Sequence, residues 1–191
     1  MSSEVIVHPF GDIEVALIEV VRHAIEQECR VRSIVGERRS IPADSYARQR
    51  AQYRAATFLN ELARNSSKER IRLGVANVDL FVPDLNFVFG EASSRRRVAV
   101  FSIARLDPQF YGEHANPKQL SQRCMTEAIH EIGHVFGLGH CNRADCVMWF
   151  SNTLAGTDRK GPKLCETCAQ RLDCQSKASL PLSSALISHW G

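Results

Sequence analysis

The sequence predicts an α/β (α+β) fold: a mixed sheet covered by helices, followed by a small irregular C-terminal subdomain. Three observations carry that prediction. Short β-branched runs alternate with amphipathic segments over the first hundred residues, the rhythm of a layered domain of sheet and helices. Two later strands lie close enough in sequence to pair as a hairpin. Past Gly137 the apolar periodicity stops, and Cys141, Cys146, Cys165 and Cys168 crowd into one stretch.

Taken in order, Glu4–His8 reads as a first strand, stopped by Pro9 and Gly11. Asp12 is placed to cap an amphipathic helix to about Glu28, with Val15, Ile18, Val21, Ala24 and Ile25 on one stripe. Arg30–Val35 alternates apolar and basic residues as a second strand. After a charged loop closed by Pro42, Asp44 or Ser45 starts a long helix to about Arg64, carrying Tyr46, Tyr53, Ala56, Phe58, Leu59 and Leu62. Ile71–Phe81 is a third strand, and Phe87–Glu91 with Val98–Ala104 form a hairpin. A helix then runs from Lys118 through Phe136.

At 191 residues and 21.4 kDa the chain is one domain or one with a small appendage. A content of 44% hydrophobic and 24% charged residues excludes a mostly disordered chain. No apolar run reaches the ~18 residues of a membrane span, and the N-terminus lacks the basic region of a secretory signal. Those two features predict a cytoplasmic protein with no membrane partner. A net charge of +3 is too mild for nucleic acid, so Arg95, Arg96 and Arg97 read as a solvated hairpin tip. No pattern encodes the oligomeric state. The seven cysteines are an odd number, and without a signal peptide a clustered set reads as metal ligands before disulfides. Cys29, Cys124 and Cys174 lie apart and read as buried or inert thiols.

The run from Thr126 to His140 carries the chemistry. His130 and His134 are four apart on a helix, so both project from one face and can hold one zinc ion. Glu131 follows the first histidine and stands beside the metal, where it can take a proton from a zinc-bound water. Gly137 permits the left-handed turn that ends the helix, and that turn brings His140 back as a third ligand. Three protein ligands leave one position open, the arrangement of a catalytic zinc. A chance match to H-E-x-x-H-x-x-G-x-x-H in such a chain is on the order of 1 in 30,000. The ordinary reading of helical histidines as hydrogen-bonded core residues does not account for five positions agreeing at once.

Cys141, Cys146, Cys165 and Cys168 offer four thiolates, the pattern of a closed structural zinc site. Cys174 is a weaker substitute ligand, and two disulfides or free thiols are the alternative. His140 and Cys141 are adjacent yet would face different metals, which predicts two zinc ions per chain, close together.

The motif His130-Glu131-x-x-His134-x-x-Gly137-x-x-His140-Cys141, then Cys146-x-Met148 and Cys165-x-x-Cys168, resembles the archaemetzincins. The spacer from Met148 to Cys165 is 16 residues, one shorter than is usual there, which a loop absorbs. The resemblance implies a metzincin-like mixed sheet with backing and active-site helices. It divides the chain into an N-terminal subdomain (1–137) and a small zinc-stapled C-terminal one (138–191), with a shallow cleft between them. It implies zinc-dependent hydrolysis of peptide bonds in a peptide or protein substrate, with Glu131 as general base and Met148 in a turn beneath the metal. The edge strand of the cleft is expected at Val98–Ala104. Trp149 and Phe150 are expected to pack between the subdomains, with the wall of a side-chain pocket as the alternative.

The rival reading is a proteolytically silent two-zinc peptide-binding or interaction protein, its histidine site closed by Cys124, Asp145 or the chain's tail. A zinc-ribbon-like nucleic-acid binder is a third, opposed by the near balance of charge around the cysteines.

Overall fold

The computed structural model describes residues 4–64 and 70–177. In chain order its elements are β1 (Glu4–Phe10), α1 (Val15–Cys29), β2 (Arg32–Val35), β3 (Tyr46–Ala47), β4 (Gln52–Arg54), α2 (Ala55–Ala63), β5 (Arg70–Ala76), β6 (Leu80–Phe81), β7 (Gly90–Ser93), β8 (Val98–Ser102), α3 (Pro117–Val135), α4 (Leu154–Lys160) and α5 (Glu166–Lys177). Five strands form the main sheet in the order β2-β1-β5-β8-β7. The first four run parallel, and β7 closes one edge antiparallel to β8. β3, β4 and β6 make a second, small sheet.

The alternation of side chains along a strand divides the core in two. Val5, Val7, Ile71, Leu73, Val75, Ala99 and Phe101 pack with Ile18, Val21 and Ile25 of α1 and with Ile129 and Ile132 of α3. Phe10, Val98 and Val100 face the other way, onto Phe58, Leu59 and Leu62 of α2. Parallel strands covered on both faces need apolar residues at nearly every position, which is why β8 is apolar from Val98 to Phe101 and β5 from Leu73 to Ala76, with Arg72 interrupting β5 near its start.

Several boundaries differ from the sequence expectation, each for a local reason. Asp12 does not cap α1: its carboxylate pairs with Arg38 at 2.7 Å, and the helix starts at Val15 after Glu14, without a side-chain cap. The expected long helix from residue 44 is a 3-10 turn, then β3 and β4, then the nine-residue α2. Ala51, at φ 52°, turns the chain between those strands. The expected strand over 71–81 is two strands, β5 and β6, in different sheets. β8 is internal, not the edge; β7 takes that place. The C-terminal stretch is less irregular than expected, since it contains α4 and α5. α3 lies where expected, opened by the Asn116 side chain accepting from Gln119 N–H at 3.1 Å, with Pro117 in its first turn.

Candidate metal centre and active site

The C-terminal end of α3 assembles the first group. The helix ends in a paired cap: Leu138 N–H donates to Gly133 O at 3.0 Å and Gly137 N–H to His134 O at 2.9 Å. Gly137 supplies the left-handed backbone that this cap demands, at φ 88°. The reversed chain brings His140 beside the helix. The rings of His130 and His134 lie 4.5 Å apart, and His140 is 5.6 Å and 5.0 Å from them.

Hydrogen bonds settle which nitrogens face inward. His130 Nδ1 lies 2.8 Å from Val147 O, and His134 Nδ1 lies 2.8 Å from Leu138 O. A carbonyl only accepts, so each Nδ1 carries the proton and each Nε2 keeps a lone pair. Those two Nε2 atoms are 3.1 Å apart. Two lone pairs at that distance need a shared electrophile. A tetrahedral zinc with bonds of ~2.0–2.1 Å would hold two nitrogens ~3.3–3.4 Å apart, so the donor set fits the ion. Burial holds the His130 imidazole well below its ordinary range and brings His134 down to about 4, so both imidazoles are neutral at physiological pH. Carbonyls behind ligand histidines are the usual means of orienting such rings.

Glu131, on the same helix, is 4% exposed. Burial, then repulsion from Glu127, raises its pKa well above the carboxylate range, with the Lys160 charge opposing. A divalent cation beside it would act the other way. β7 passes directly over this carboxyl: a Cβ added at Gly90 would lie 2.5 Å from Glu131 Oε1. Only glycine admits the carboxyl to the sheet edge.

Met148 lies in a turn closed by Trp149 N–H to Cys146 O at 2.8 Å, and Cys141 N–H donates to Met148 O at 2.9 Å. Its thioether is pressed against Gly133, where any side chain would collide with it. The His130 carbonyl partner, Val147, belongs to the same turn. Trp149 is half-buried, with the Arg159 guanidinium 5.8 Å from its ring. Phe150 is not buried packing as expected: it is 49% exposed, 5.0 Å from the His140 ring.

The thiols of Cys141, Cys146, Cys165 and Cys168 lie within 4.8 Å of one another. Cys141 Sγ is 3.9 Å from Cys165 Sγ, near the ~3.8 Å separation of two sulfurs bound at ~2.3 Å to one tetrahedral zinc. None of the four is joined in a disulfide. Cys165 N–H points at Cys146 Sγ, 3.3 Å away. Cys29 and Cys124 are fully buried, and burial raises both thiol pKa values, that of Cys29 to about 12. Cys174 is exposed on α5, outside the group of four.

Among the described residues no other His, Cys, Asp or Glu joins the three histidines. Cys124 is in the apolar core, Asp145 is exposed and paired with Arg143 at 2.7 Å, and the tail lies outside the described residues. Two site features escaped the sequence reading. Gly90 is an unremarkable residue until the fold lays it on Glu131. The buried Lys160, 3.1 Å from Glu127, comes from a segment with no readable pattern.

This fold and donor set are those of a metal-dependent hydrolase. The model of Peptidase family M54 matches residues 9–174. The archaemetzincin of Methanocaldococcus jannaschii is 37% identical over 172 residues, 90% of this chain and 94% of that protein. That of Pyrococcus abyssi is 36% identical over 91% of this chain and 96% of that protein. The crystal structure of archaemetzincin from Methanopyrus kandleri superposes with a TM-score of 0.81 at 34% identity, over 93% of this chain and 97% of that one. The chain belongs to peptidase family M54, the archaemetzincins, and is a zinc metallopeptidase acting on peptide or protein substrates. No helix among the described residues is long and apolar enough to cross a membrane.

Proposed function

We propose that His130, His134 and His140 hold a catalytic zinc and that Cys141, Cys146, Cys165 and Cys168 hold a second, structural one. The observation that carries this is the pair of Nε2 lone pairs 3.1 Å apart, with both Nδ1 protons committed to carbonyls and Glu131 next in sequence. The chemistry such an ion supplies is Lewis acidity, acting on a carbonyl oxygen and on the acidity of water.

The chain's own residues do the rest. Val147 O and Leu138 O fix the histidine rings and raise their basicity. Glu131 accepts the proton of the attacking water and passes it to the leaving nitrogen, a general-base contribution worth roughly 100- to 10,000-fold. β7, as the free edge, hydrogen-bonds the backbone of an extended substrate and presents it to Glu131. The division at residue 137 sets the described part of 1–137 above the cleft and 138–177 below it, joined across α3 and α4 by Arg123–Asp158 at 2.7 Å and by Glu127–Lys160; residues 178–191 of the lower unit lie outside the described residues.

Metal analysis and peptide-library cleavage on one preparation test this. Glu131→Gln is expected to retain two zinc ions per chain and lose cleavage. A variant that cleaves as fast as wild type would remove Glu131 from the mechanism.

A further inference from the structure

β7 pairs only with β8 among the described residues. Ser102 N–H donates to Phe89 O at 2.8 Å, and the register sets Gly90 opposite Phe101 and Glu91 opposite Val100. Antiparallel ladders alternate hydrogen-bonded and non-hydrogen-bonded pairs. Phe89, Glu91 and Ser93 therefore turn their backbone groups toward β8, and Gly90 and Ala92 turn theirs to the open edge. A peptide laid antiparallel along that edge bonds to Gly90 and Ala92. Its residue opposite Glu91 sits in a non-hydrogen-bonded pair, side chain on Glu91's face, with Cβ atoms ~4.5–5.5 Å apart.

That face is not the one occupied by Glu131. Gly90 faces Glu131, so its neighbour Glu91 points toward α2, where it borders a cavity of about 190 Å³. Arg54, Ala56, Pro83 and Asp84 form an exposed rim, and buried Phe81 is an apolar wall. Glu91 Oε2 is buried and has no hydrogen-bond partner. The guanidinium groups around this cavity make other contacts: Arg50 lies 4.3 Å over the Phe81 ring and donates to Leu85 O at 2.7 Å and to Asn86 O at 3.0 Å. Arg54 lies 5.8 Å from the Phe81 ring centroid, and Arg96 donates to Asn60 Oδ1 at 2.6 Å and Ser93 Oγ at 3.3 Å. Burial raises the pKa of Glu91, with the Arg96 charge only partly opposing.

A buried carboxyl oxygen without a partner carries a desolvation cost that a hydrogen-bonding cation removes. Charge-assisted bonds are the stronger ones, and an aromatic wall suits the methylene stem of a long basic side chain. We propose that Glu91 is a specificity residue, selecting Lys or Arg in the substrate at the position whose neighbours on the peptide lie over Glu131. This rests on the edge-strand binding mode given above for the peptidase.

The test uses the full zinc-loaded chain and peptides that differ at single positions, carrying Lys, norleucine or Glu. Wild type is expected to favour Lys over norleucine at one position within two residues of the cleaved bond, by about 10- to 100-fold in kcat/KM. Glu91→Gln brings that ratio close to one, and Glu91→Asp keeps the preference. Binding of the same peptides to Glu131→Gln, by fluorescence anisotropy, reads the preference without turnover. Lost cleavage with a Lys preference in binding counts against the peptidase mechanism, not against Glu91. Equal affinity for Lys and norleucine overturns the proposal. So does a preference that survives in a folded Glu91→Gln, or a preference for Glu that Arg54→Ala abolishes.

Discussion

Lys160 offers the sharpest test of the packing between α3 and α4. Its ammonium is 1% exposed and lies 3.1 Å from the Glu127 carboxyl, which is 3% exposed. Thr157 Oγ1 donates to the same carboxyl oxygen at 3.1 Å. Lys160→Met removes the cation, keeps most of the volume and leaves Glu127 buried. Breaking a buried pair from one side costs ~3–5 kcal/mol. Here the lower end applies, because Thr157 remains a partner and Lys160 Nζ makes an ion contact without a well-aligned hydrogen bond. A loss of about 3 kcal/mol lowers Tm by ~6–12 °C in a chain of this length. The double variant Glu127→Leu/Lys160→Met removes both charges and is expected to return to within ~1 kcal/mol of wild type. Urea titrations followed by circular dichroism at one fixed free zinc concentration read all three, since bound metal adds its own stabilisation. A single variant as stable as wild type, or a double variant less stable than the single, would refute the reasoning.

Other expectations follow from named contacts. Gly133→Ala forces a methyl group into the Met148 thioether; overpacking should cost ~1–3 kcal/mol and weaken zinc retention in a chelator competition. Gly90→Val puts side-chain atoms where the Glu131 carboxyl lies and should cut kcat at least about tenfold, with zinc content unchanged on metal analysis. Cys168→Ser should lower zinc from two ions per chain to one and reduce Tm, read by metal analysis and thermal melting. His8 sits below its ordinary pKa of 6.5, held there by burial and then by the charges of Arg39 and Arg72, with the bond to Glu37 O opposing. The unfolded chain therefore binds more protons than the folded one between the folded pKa and 6.5. This contribution is whole above 6.5 and is lost as pH falls below it. His8→Gln should flatten the drop in urea midpoint between about pH 7.5 and about pH 5.

The His130, His134 and His140 group proposed to hold a metal is legible because its spacing is local. His130 and His134 share a helix face by the geometry of one turn, and Gly137 dictates how the chain reverses to deliver His140. The cysteines are legible as two close pairs, Cys141 with Cys146 and Cys165 with Cys168, while the convergence of the pairs across the 18 residues between them belongs to the fold. Between Ala43 and Arg54 the spacing of Tyr46 and Tyr53 mimics the helical stripe that continues in α2. Pairing with Asp79 and Leu80, far along the chain, converts this segment to short strands. The apolar run Val98–Ala104 is compatible with an edge or an inner strand, because such a run does not say which strands flank it.

By itself the sequence determined the donor groups, the helix that aligns two of them, and the layered class of the fold, because each depends on periods of a few residues. Only the tertiary structure decided that β7 is the edge, that Gly90 lies on Glu131, that Lys160 answers Glu127, and that Glu91 Oε2 is left without a hydrogen-bond partner. Those are contacts between residues distant in the chain, and their energies arise from burial and pairing that no local window of sequence contains.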